Sequence, residues 1–353
     1  MIKKSLLAFI PFFVCFSFLP NCNNLSFTDK DGGIYRSQDR GENWQQMTVD
    51  EDQPPLVSLD ILSIAVDPED PDVVYVGTDG SGLYKSCCNG EYWRKVKDEN
   101  NILSPKAKVH DIEIDPKNPE RVYLAVYQSG KGRVFRSQNG GKSWREVYVV
   151  SEKKNSVFEV EVDSYENSIV YIGIEEGGLL KSEDYGVSWK TLKWFKGNIS
   201  DIAINPKDTR VVYISTFSEG IYKTKNKGST WQSFEEQLED FRQGEKVRHV
   251  VIDSNRPNIV YSASKYGLLV SENGGGNWKE VDIIMPKGTQ DVLSMALDPK
   301  NTNIIYYGAG SNLYKSKDKG KHWTVSDLNS GRDVKVIAID SNNPKTVYVG
   351  MYE

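Results

Sequence analysis

An eight-residue motif, Ser/Thr-x-(Asp/Asn)-x-Gly-x-x-Trp, recurs along the whole chain and constrains its fold more than any other feature. The distance from its first residue to its tryptophan is seven in every copy, and successive tryptophans lie 42 to 51 residues apart. A fixed motif at such a period indicates a repeat architecture. The seven copies begin at Ser37, Ser86, Ser137, Ser182, Thr224, Ser271 and Ser316, and they end at Trp44, Trp93, Trp144, Trp189, Trp231, Trp278 and Trp323.

This motif, called the hairpin motif below, predicts a β-hairpin between two short strands. Asp or Asn in its third place can accept hydrogen bonds from backbone N–H groups two or three residues on, and Gly in its fifth place can take a positive φ. The tryptophan begins the outgoing strand and supplies a large apolar area for burial. We therefore predict structural roles for Asp39, Asp184 and Asp318. Cys88 stands in the third place of the second copy, so that hairpin lacks the usual acceptor.

A second pattern precedes each hairpin motif and completes the repeating unit. It is an Asp or Asn that follows an alternating strand, with a tyrosine eight residues further on in a β-branched strand, as in Asp67 and Tyr75. Each unit therefore contains four short strands, named A, B, C and D in chain order. Four-stranded units of about 40–50 residues predict a β-propeller. The other units begin this pattern at Asp115, Asp163, Asn205, Asp253, Asp298 and Asp340.

The two ends of the repeat region predict seven blades. Residues Gly32 to Met47 supply only strands C and D, and residues Val334 to Tyr352 supply only strands A and B. Pairing these halves in one sheet gives a seventh blade and removes two exposed edges. The alternative is an open array with a half-blade at each end. We expect an all-β, seven-bladed propeller over residues 32–353.

Loop lengths differ between the two faces of such a disc. The A–B turn and the C–D hairpin keep a constant length. The tyrosine-to-motif distance across the B–C loop varies from 10 to 14 residues, and the tryptophan-to-Asp distance across the D–A loop varies from 16 to 23. Loops that vary carry binding functions more often than constant ones. We therefore predict that binding occurs on the face formed by the B–C and D–A loops, called the variable-loop face below.

The N-terminal residues predict export. Lys3 and Lys4 precede an apolar stretch from Ser5 to Leu19, which has the organisation of a secretory signal. Cys22 follows directly and resembles the lipidated cysteine of bacterial lipoproteins; ordinary cleavage nearby is the alternative. We predict a signal peptide over residues 1–21, a linker over 22–31, and an exported protein of the bacterial cell envelope, periplasmic or at the surface, attached to a membrane only through its lipid.

Composition narrows the possible partners. The formal net charge is −5 with interspersed signs, so no basic face for nucleic acid is evident. The chain has three histidines and four cysteines without a clustered spacing, and we expect no structural metal and no cofactor. The adjacent Cys87 and Cys88 are expected to remain thiols or to form a non-essential bridge. We expect a monomer that binds a protein or a polysaccharide.

The hairpin motif resembles the Asp-box, or BNR repeat, of sialidases, xyloglucanases, sortilin-type receptors and photosystem II assembly-factor propellers. The run from Asp67 to Gly77, followed by Gly82-Leu-Tyr-Lys-Ser86, is most similar to the xyloglucanase and sortilin branch. This resemblance implies the propeller fold and leaves the function open, because unrelated functions share the fold.

The resemblance also suggests activities that can be compared with the residues present. Sialidases have six blades and an arginine triad, whereas this chain has seven units, and Arg36 and Arg40 belong to a hairpin motif. Xyloglucanases resemble two propellers that face each other, each donating a carboxylate. Sortilin-type receptors have ten blades and cysteine-rich modules. The assembly-factor propellers are similar in size, blade number and leader.

One column of residues, four places before each A–B turn Asp, is a candidate site at the central channel. Three consecutive units have carboxylates there, and Glu175 and Glu176 add to them in the B–C loop of the Glu159 unit. Paired carboxylates could hydrolyse a glycoside, bind a cation or basic peptide, or only line a solvated channel. The column comprises Ser63, Asp111, Glu159, Asp201, His249, Ser294 and Val336, of which Asp111, Glu159 and Asp201 are the catalytic candidates.

Aromatic residues form the second candidate site. Trp194 and Phe195 are predicted in a D–A loop, and Tyr127, Phe217 and Tyr266 in B–C loops. They could stack on sugars or anchor a peptide, or they could pack between loops. The sequence favours a non-catalytic binding or assembly scaffold. The alternative is a xyloglucanase-like or sialidase-like glycoside hydrolase that uses the column carboxylates.

Overall fold

The computed structural model describes residues 32–47, 56–152 and 154–353. Residues 31–353 form one compact unit. The predicted signal peptide and the predicted linker, which includes Cys22, lie outside the described residues. In the part of the chain that is described, no helix has the length and apolar character needed to cross a membrane.

Among the residues that the structure describes, twenty-eight strands account for almost all of the regular structure. They are β1 (Ile34–Ser37), β2 (Gln45–Gln46), β3 (Ile61–Val66), β4 (Val73–Thr78), β5 (Leu83–Cys87), β6 (Arg94–Lys95), β7 (Lys108–Ile114), β8 (Val122–Gln128), β9 (Lys131–Ser137), β10 (Arg145–Val149), β11 (Val157–Val162), β12 (Val170–Ile174), β13 (Gly178–Ser182), β14 (Lys190–Trp194), β15 (Ile199–Ile204), β16 (Val212–Thr216), β17 (Gly220–Thr224), β18 (Gln232–Ser233), β19 (Val247–Ile252), β20 (Val260–Ser264), β21 (Leu268–Ser271), β22 (Lys279–Glu280), β23 (Val292–Leu297), β24 (Ile305–Ala309), β25 (Asn312–Ser316), β26 (Thr324–Asp327), β27 (Asp333–Ile339) and β28 (Val347–Tyr352). One short α-helix, α1 (Glu235–Glu239), and two 3-10 turns (Leu56–Ser58 and Glu175–Gly177) lie between them.

These strands form seven antiparallel four-stranded sheets, which confirms the predicted seven-bladed propeller. Blades 1 to 6 take four consecutive strands each, from β3–β6 to β23–β26. Blade 7 has the order β2-β1-β28-β27 and therefore joins the two ends of the chain. Tyr35 pairs with Val349, and Ile34 pairs with Gly350. The open array is excluded, because both half-blades are paired.

Strand A of each blade lies innermost, and these seven strands contact each other in a closed circle, from β3 through β7, β11, β15, β19, β23 and β27 back to β3. Each contains one register shift near its start, as between Ile61 and Ser63. The shift is a β-bulge, which turns one extra side chain toward the centre. In all seven blades the bulge immediately precedes the column residue.

The hairpin motif closes through its first and third side chains. In the first copy, the Ser37 Oγ accepts the Gly41 N–H at 2.7 Å and donates to Asp39 Oδ1 at 2.7 Å. Asp39 Oδ1 then accepts the N–H groups of Glu42 and Asn43 at 3.0 and 2.9 Å. These hydrogen bonds hold the pKa of Asp39 down at about 2. Asp39 therefore accepts from the residues three and four places on, whereas the sequence predicted two or three places on.

Two consecutive residues of the motif have positive φ, whereas the sequence predicted only one. The fifth-place glycine has a φ between 76° and 101° in all copies, and the fourth residue lies in the left-handed region as well. The fourth place holds Gly twice and larger residues elsewhere, such as Arg40 and Tyr185. Left-handed backbone at a non-glycine residue needs support from its surroundings. The support comes from the neighbouring blade, as described below.

The constant turns and the variable loops lie on opposite faces, as predicted. In each blade the fourth motif residue donates its N–H to the A–B turn of the same blade, as from Gly140 to Glu120 O at 2.9 Å. On the other face, B–C loops hydrogen-bond to D–A loops, as from Gly82 N–H to Ala107 O at 3.0 Å. These two sets of bonds place the hairpin motifs beside the A–B turns and away from the variable-loop face.

Tyrosines of strand B in four blades hydrogen-bond to the neighbouring blade. Tyr75 donates its hydroxyl to Gly140 O at 2.8 Å, and Tyr123 donates to Tyr185 O at 3.1 Å. In each case the acceptor is the fourth motif residue of the next blade. Tyr213 and Tyr306 make the same bond to Gly274 and Arg40. The apolar core lies between the blades, and the tryptophans and these tyrosines form its outer part.

The second hairpin motif uses a thiol where the others use an amide or a carboxylate. Cys88 Sγ lies 3.7 Å from Ser86 Oγ and 3.8 Å from Tyr92 O. Both Cys87 and Cys88 are free thiols. In the third copy Asn139 Oδ1 accepts the N–H of the residue four places on at 2.9 Å, a bond that a thiol makes weakly.

Cys88→Asn is expected to stabilise the fold by about 1 kcal/mol, because it supplies an acceptor for the Tyr92 N–H. Asn139→Ala should destabilise by about the same amount. Thermal unfolding of both variants, with Cys88→Ser as the control for loss of the thiol, measures the effect. A melting temperature of Cys88→Asn no higher than that of Cys88→Ser would contradict this role of the third residue.

Candidate functional site

The seven column residues surround one cavity of about 650 Å³ inside the circle of A strands. Asp111, Glu159, Asp201 and His249 all line it. The site therefore gathers side chains from blades that are distant in the chain. Whether the site could bind a ligand or catalyse a reaction depends on which of these side chains already hydrogen-bond to other groups of the protein.

Four column residues hydrogen-bond to the exposed inner edge of the next blade. Asp111 Oδ2 accepts the Val160 N–H at 2.9 Å, and Asp201 Oδ2 accepts the Val250 N–H at 2.6 Å. Ser63 and Ser294 donate to the main-chain carbonyls of Val109 and Val334, both at 3.3 Å. An innermost strand has unpaired backbone groups on its channel side, and these side chains satisfy them. The carboxylates of Asp111 and Asp201 thus hold blades together.

Two further carboxyl groups belong to this cluster and were missed in the sequence analysis. Glu113 and Glu161 lie two residues after Asp111 and Glu159, on the same side of their strands. Glu113 lines the cavity and accepts a hydrogen bond from the Val162 N–H. The alternation of side chains along strand A was a sufficient signal to find both.

The bulge residues are the other side chains that sequence reasoning missed. His110, Arg248 and Lys335 occupy bulge positions and line the cavity. A bulge has no compositional signature, so nothing in the sequence placed these side chains inward. With them the cavity has acidic groups on blades 2, 3 and 4 and basic groups on blades 2, 5 and 7.

Burial changes the protonation of the acidic groups. Burial raises the pKa of Asp111 to about 6, against the hydrogen bonds from Val160 and Ile112. Burial first, and then repulsion from neighbouring carboxylates, raises the pKa of Glu113, Glu159 and Glu161 well above the ordinary value. The pKa of Asp201 also rises through burial, opposed by His249. The carboxyl groups of the cluster therefore take up protons at a higher pH than ordinary carboxyl groups do.

The basic groups are largely paired or neutral. Arg248 bonds to Asp291 at 2.6 Å, and its guanidinium lies 4.8 Å from the Phe217 ring centroid. His249 Nε2 lies 3.6 Å from Asp201 Oδ2. Burial lowers the pKa of His110 to about 4 and lowers that of Lys335. Among the described residues, no three His, Cys, Asp or Glu side chains are arranged to hold a metal ion.

The predicted aromatic site is only partly exposed. Trp194 is the last residue of β14 and not part of a loop, and it is 57% exposed. The expectation that Phe195 is an exposed anchor is wrong. Phe195 is 4% exposed and packs edge-on against Trp231 at 5.3 Å. The chain after Trp194 turns inward because the Phe195 N–H donates to Gly177 O.

The remaining candidates lie apart from one another. Tyr127 is half-buried within β8 and not in a loop. Phe217 lines the central cavity rather than the rim. Tyr266 donates its hydroxyl to Glu280 and packs against Phe241 at 5.6 Å. These contacts favour a role in packing between loops for Tyr266 and a place in the channel lining for Phe217.

The two acidic B–C loop residues support the loop beside Trp194. Glu175 Oε2 accepts the Ser156 N–H at 2.8 Å, and its own N–H donates to Ser156 O. Glu176 is exposed, has a φ of 67° and donates its N–H to Asn198 Oδ1 at 2.9 Å. Glu176 thus presents a free carboxylate two residues from Gly178, which pairs with Trp194.

Comparison with known proteins assigns the family. The model described as sortilin, neurotensin receptor 3, matches residues 32–178 and 177–265. The chain belongs to the Sortilin-Vps10 family. No curated protein sequence matches it.

Solved structures with a similar fold include two GH74 enzymes and YCF48. The GH74 xyloglucanase from Xanthomonas campestris has a TM-score of 0.67 and 17% identity, over 83% of this chain and 51% of that one. The GH74 enzyme from Niastella koreensis has a TM-score of 0.65 and 19% identity, over 83% and 51%. YCF48 from Cyanidioschyzon merolae has a TM-score of 0.64 and 13% identity, over 83% and 95%.

At these identities the likeness shows the fold alone. This member of the Sortilin-Vps10 family spans about half the length of the GH74 enzymes that it resembles and nearly the full length of YCF48. The shared fold therefore does not decide between a hydrolase and a binding protein.

Asp111→Asn is expected to stabilise the propeller at alkaline pH. Because the folded state raises the pKa of Asp111 from 3.8 to about 6, this carboxyl favours folding while it is protonated, and that contribution is lost as the pH rises from about 4 through 6. An amide keeps the acceptor for Val160 without the charge. We expect a gain on the order of 2 kcal/mol at pH 8 and none at pH 4.

Urea unfolding across this pH range measures the difference, and Glu239→Gln, which changes an exposed carboxylate, is the matched control. Equal stability of Asp111→Asn and the wild type at pH 8 would show that ionisation of the Asp111 carboxyl does not destabilise the folded state.

Proposed function

We propose that this protein is an exported, lipid-anchored propeller that binds a protein or glycan partner through its variable-loop face and catalyses no reaction. The observation that carries the proposal is Trp194, a large aromatic side chain that is 57% exposed on that face. Each of the seven motif tryptophans, by contrast, packs against the core between blades.

The surroundings of Trp194 hold its ring in a fixed place. A Cβ built on Gly178 would lie 2.8 Å from its Cζ3, so the ring lies against the backbone of the paired strand. The next residue, Phe195, is anchored in the core and by its N–H bond to Gly177 O. A rigid, exposed aromatic loses little conformational entropy on binding, which is the property of an interface anchor.

The polar groups beside Trp194 suit a polar rim. Glu176 is exposed in the adjoining B–C loop, and Lys196 follows Phe195 and pairs with Glu219 at 3.2 Å. An aromatic anchor with charged neighbours fits either a peptide or a sugar surface. The structures of similar fold include YCF48 bound to a D1 peptide and a xyloglucanase, which supports both partner classes without choosing between them.

The central carboxylates support a binding protein over a hydrolase. Glycoside hydrolysis needs two carboxyl groups free to face the substrate, one as acid and the other as base or nucleophile. Asp111 and Asp201 instead accept backbone N–H groups of the next blade at 2.9 and 2.6 Å. Their engagement stabilises the ring, and it leaves Glu159 without a second free column carboxylate.

Trp194→Ala is expected to weaken partner binding at least tenfold, because loss of a central aromatic anchor commonly costs about 2 kcal/mol or more. The measurement is a pull-down from the native envelope together with affinity electrophoresis in xyloglucan gels. Tyr165→Ala is the matched control, since Tyr165 is 73% exposed but lies in an A–B turn on the opposite face. Equal loss in both variants, or in neither, would remove Trp194 from the binding surface.

The hydrolase alternative predicts a different outcome in the same preparations. Wild-type protein would release reducing sugar from xyloglucan, and Asp111→Asn combined with Asp201→Asn would abolish that release while the chain stays folded. Turnover that these substitutions abolish would overturn the non-catalytic proposal. We expect no turnover in either protein.

The lipid anchor is proposed from the sequence around Cys22, where an apolar stretch ends at Leu19, three residues before the cysteine. Metabolic labelling with a radioactive fatty acid should mark the wild-type protein and not Cys22→Ser, and Cys88→Ser should label normally. Labelling of Cys22→Ser at the wild-type level would exclude this anchor and leave the binding proposal unaffected.

A further inference from the structure

A second cavity lies far from the central channel, between the outer strand of blade 1 and the hairpin motif of blade 2. Its volume is about 650 Å³. Arg94, Lys95, Val96 and Lys97 form one wall, and Lys142 with its neighbouring glycines forms the other. We call it the blade 1–2 groove. It lies beside the hairpin motifs of blades 1 and 2 and the first residues of the D–A loop after β6.

The groove is lined by cations and by no carboxylate. Arg94, Lys95, Lys97 and Lys142 form no ion pair with any residue that the structure describes. Lys85 is also present, but its ammonium donates to Gly140 O at 2.9 Å. Glu120 approaches from an A–B turn, where a Cβ built on Gly140 would lie 3.4 Å from its Oε2, and it does not line the groove.

The repeat shows that this charge is local to one interface. The residues one, two and four places after the motif tryptophan are Arg94, Lys95 and Lys97 in blade 1. Blade 5 has Lys279, Glu280 and Asp282 at the same places, and no other blade has a cation at all three. The same backbone positions therefore fold without these charges, so the fold does not require them.

The groove also has an apolar surface. Val96 is half-buried against the core between blades 1 and 2, and the aliphatic stems of the lysines extend beside it. The ring of Tyr92 is 64% exposed at the edge. Lys95 is half-buried, and this burial lowers its pKa, whereas Arg94 and Lys97 are exposed. A volume of this size suits a small molecule.

We infer that the blade 1–2 groove binds a small anionic amphiphile, in which a carboxylate, sulfonate or phosphate head is carried on an apolar body. The head would meet Arg94, Lys95 and Lys97, which have no other anionic partner in the structure. The apolar body would cover Val96 and the lysine stems. A charged head gains more from partly desolvated cations than from fully hydrated ones, because screening by water is weaker there.

Binding of anilinonaphthalene sulfonate, a fluorescent member of this class, tests the inference with the full chain. Arg94→Gln, Lys95→Gln and Lys97→Gln combined should weaken binding about tenfold or more, because charge-assisted contacts are lost. The matched control combines Lys190→Gln and Lys321→Gln, exposed lysines at the repeat positions of Arg94 and Lys142 in other blades. The control should bind as the wild type does. Equal affinity of the triple variant and the wild type would overturn the inference.

Competition separates the two parts of the ligand. Dodecyl phosphate should displace the probe, whereas inorganic phosphate or a neutral alkyl glucoside at the same concentration should not. Complete displacement by inorganic phosphate would reduce the site to a simple anion site. Complete displacement by the neutral glucoside would show that the groove does not require a negative charge on its ligand. Either result would overturn the proposed ligand class.

The two thiols in the groove give an independent readout of position. Cys87 is exposed and lines the groove. In Cys88→Ser, saturating dodecyl phosphate should slow alkylation of Cys87 by a neutral maleimide severalfold, and Cys87→Ser should remove that signal. An unchanged alkylation rate at saturation would place the bound amphiphile elsewhere.

Discussion

The hydrogen bond from a strand B tyrosine to the fourth residue of the next hairpin motif is the contact on which the ring depends. It occurs in blades 1, 2, 4 and 6, and in blade 7 Tyr348 donates to the Asn89 side chain instead. In blade 3 the Tyr171 hydroxyl has no hydrogen-bond partner among the described residues. In these four bonds the acceptor carbonyl belongs to a fourth motif residue that has a positive φ. The same residue therefore has the strained turn conformation and accepts the hydrogen bond from the neighbouring blade.

A second set of hydrogen bonds joins neighbouring blades at the centre of the ring. The column side chains of Ser63, Asp111, Asp201 and Ser294 bond to the inner edge of the next blade, where backbone groups would otherwise lack partners. Asp111 keeps this role although burial raises its pKa, because a protonated carboxyl still has an oxygen that can accept. Acidic residues in a propeller channel can thus serve the fold rather than a substrate.

The sequence predicted the blade number, the closure by both chain ends and the two faces, because each depends on residues at fixed spacing. It placed the column correctly but gave no account of its hydrogen bonds, which join residues about 50 positions apart. Glu113 and Glu161 could have been found from strand alternation. His110, Arg248 and Lys335 could not, because a bulge depends on strand geometry that no residue type specifies. Phe195 was misjudged because burial is decided by the turn after Trp194.

A repeat protein offers a physical criterion for function that a unique fold lacks. Residues needed by the fold recur at equivalent positions, as the motif glycine and tryptophan do in every blade. Residues that serve one interface only have no such constraint. Trp194 and the cations of the blade 1–2 groove both depart from the repeat, and both are exposed at positions that other blades fill differently. Because Trp194 lies in blade 3 and the groove lies between blades 1 and 2, a partner at Trp194 and a small ligand in the groove would not compete for the same surface.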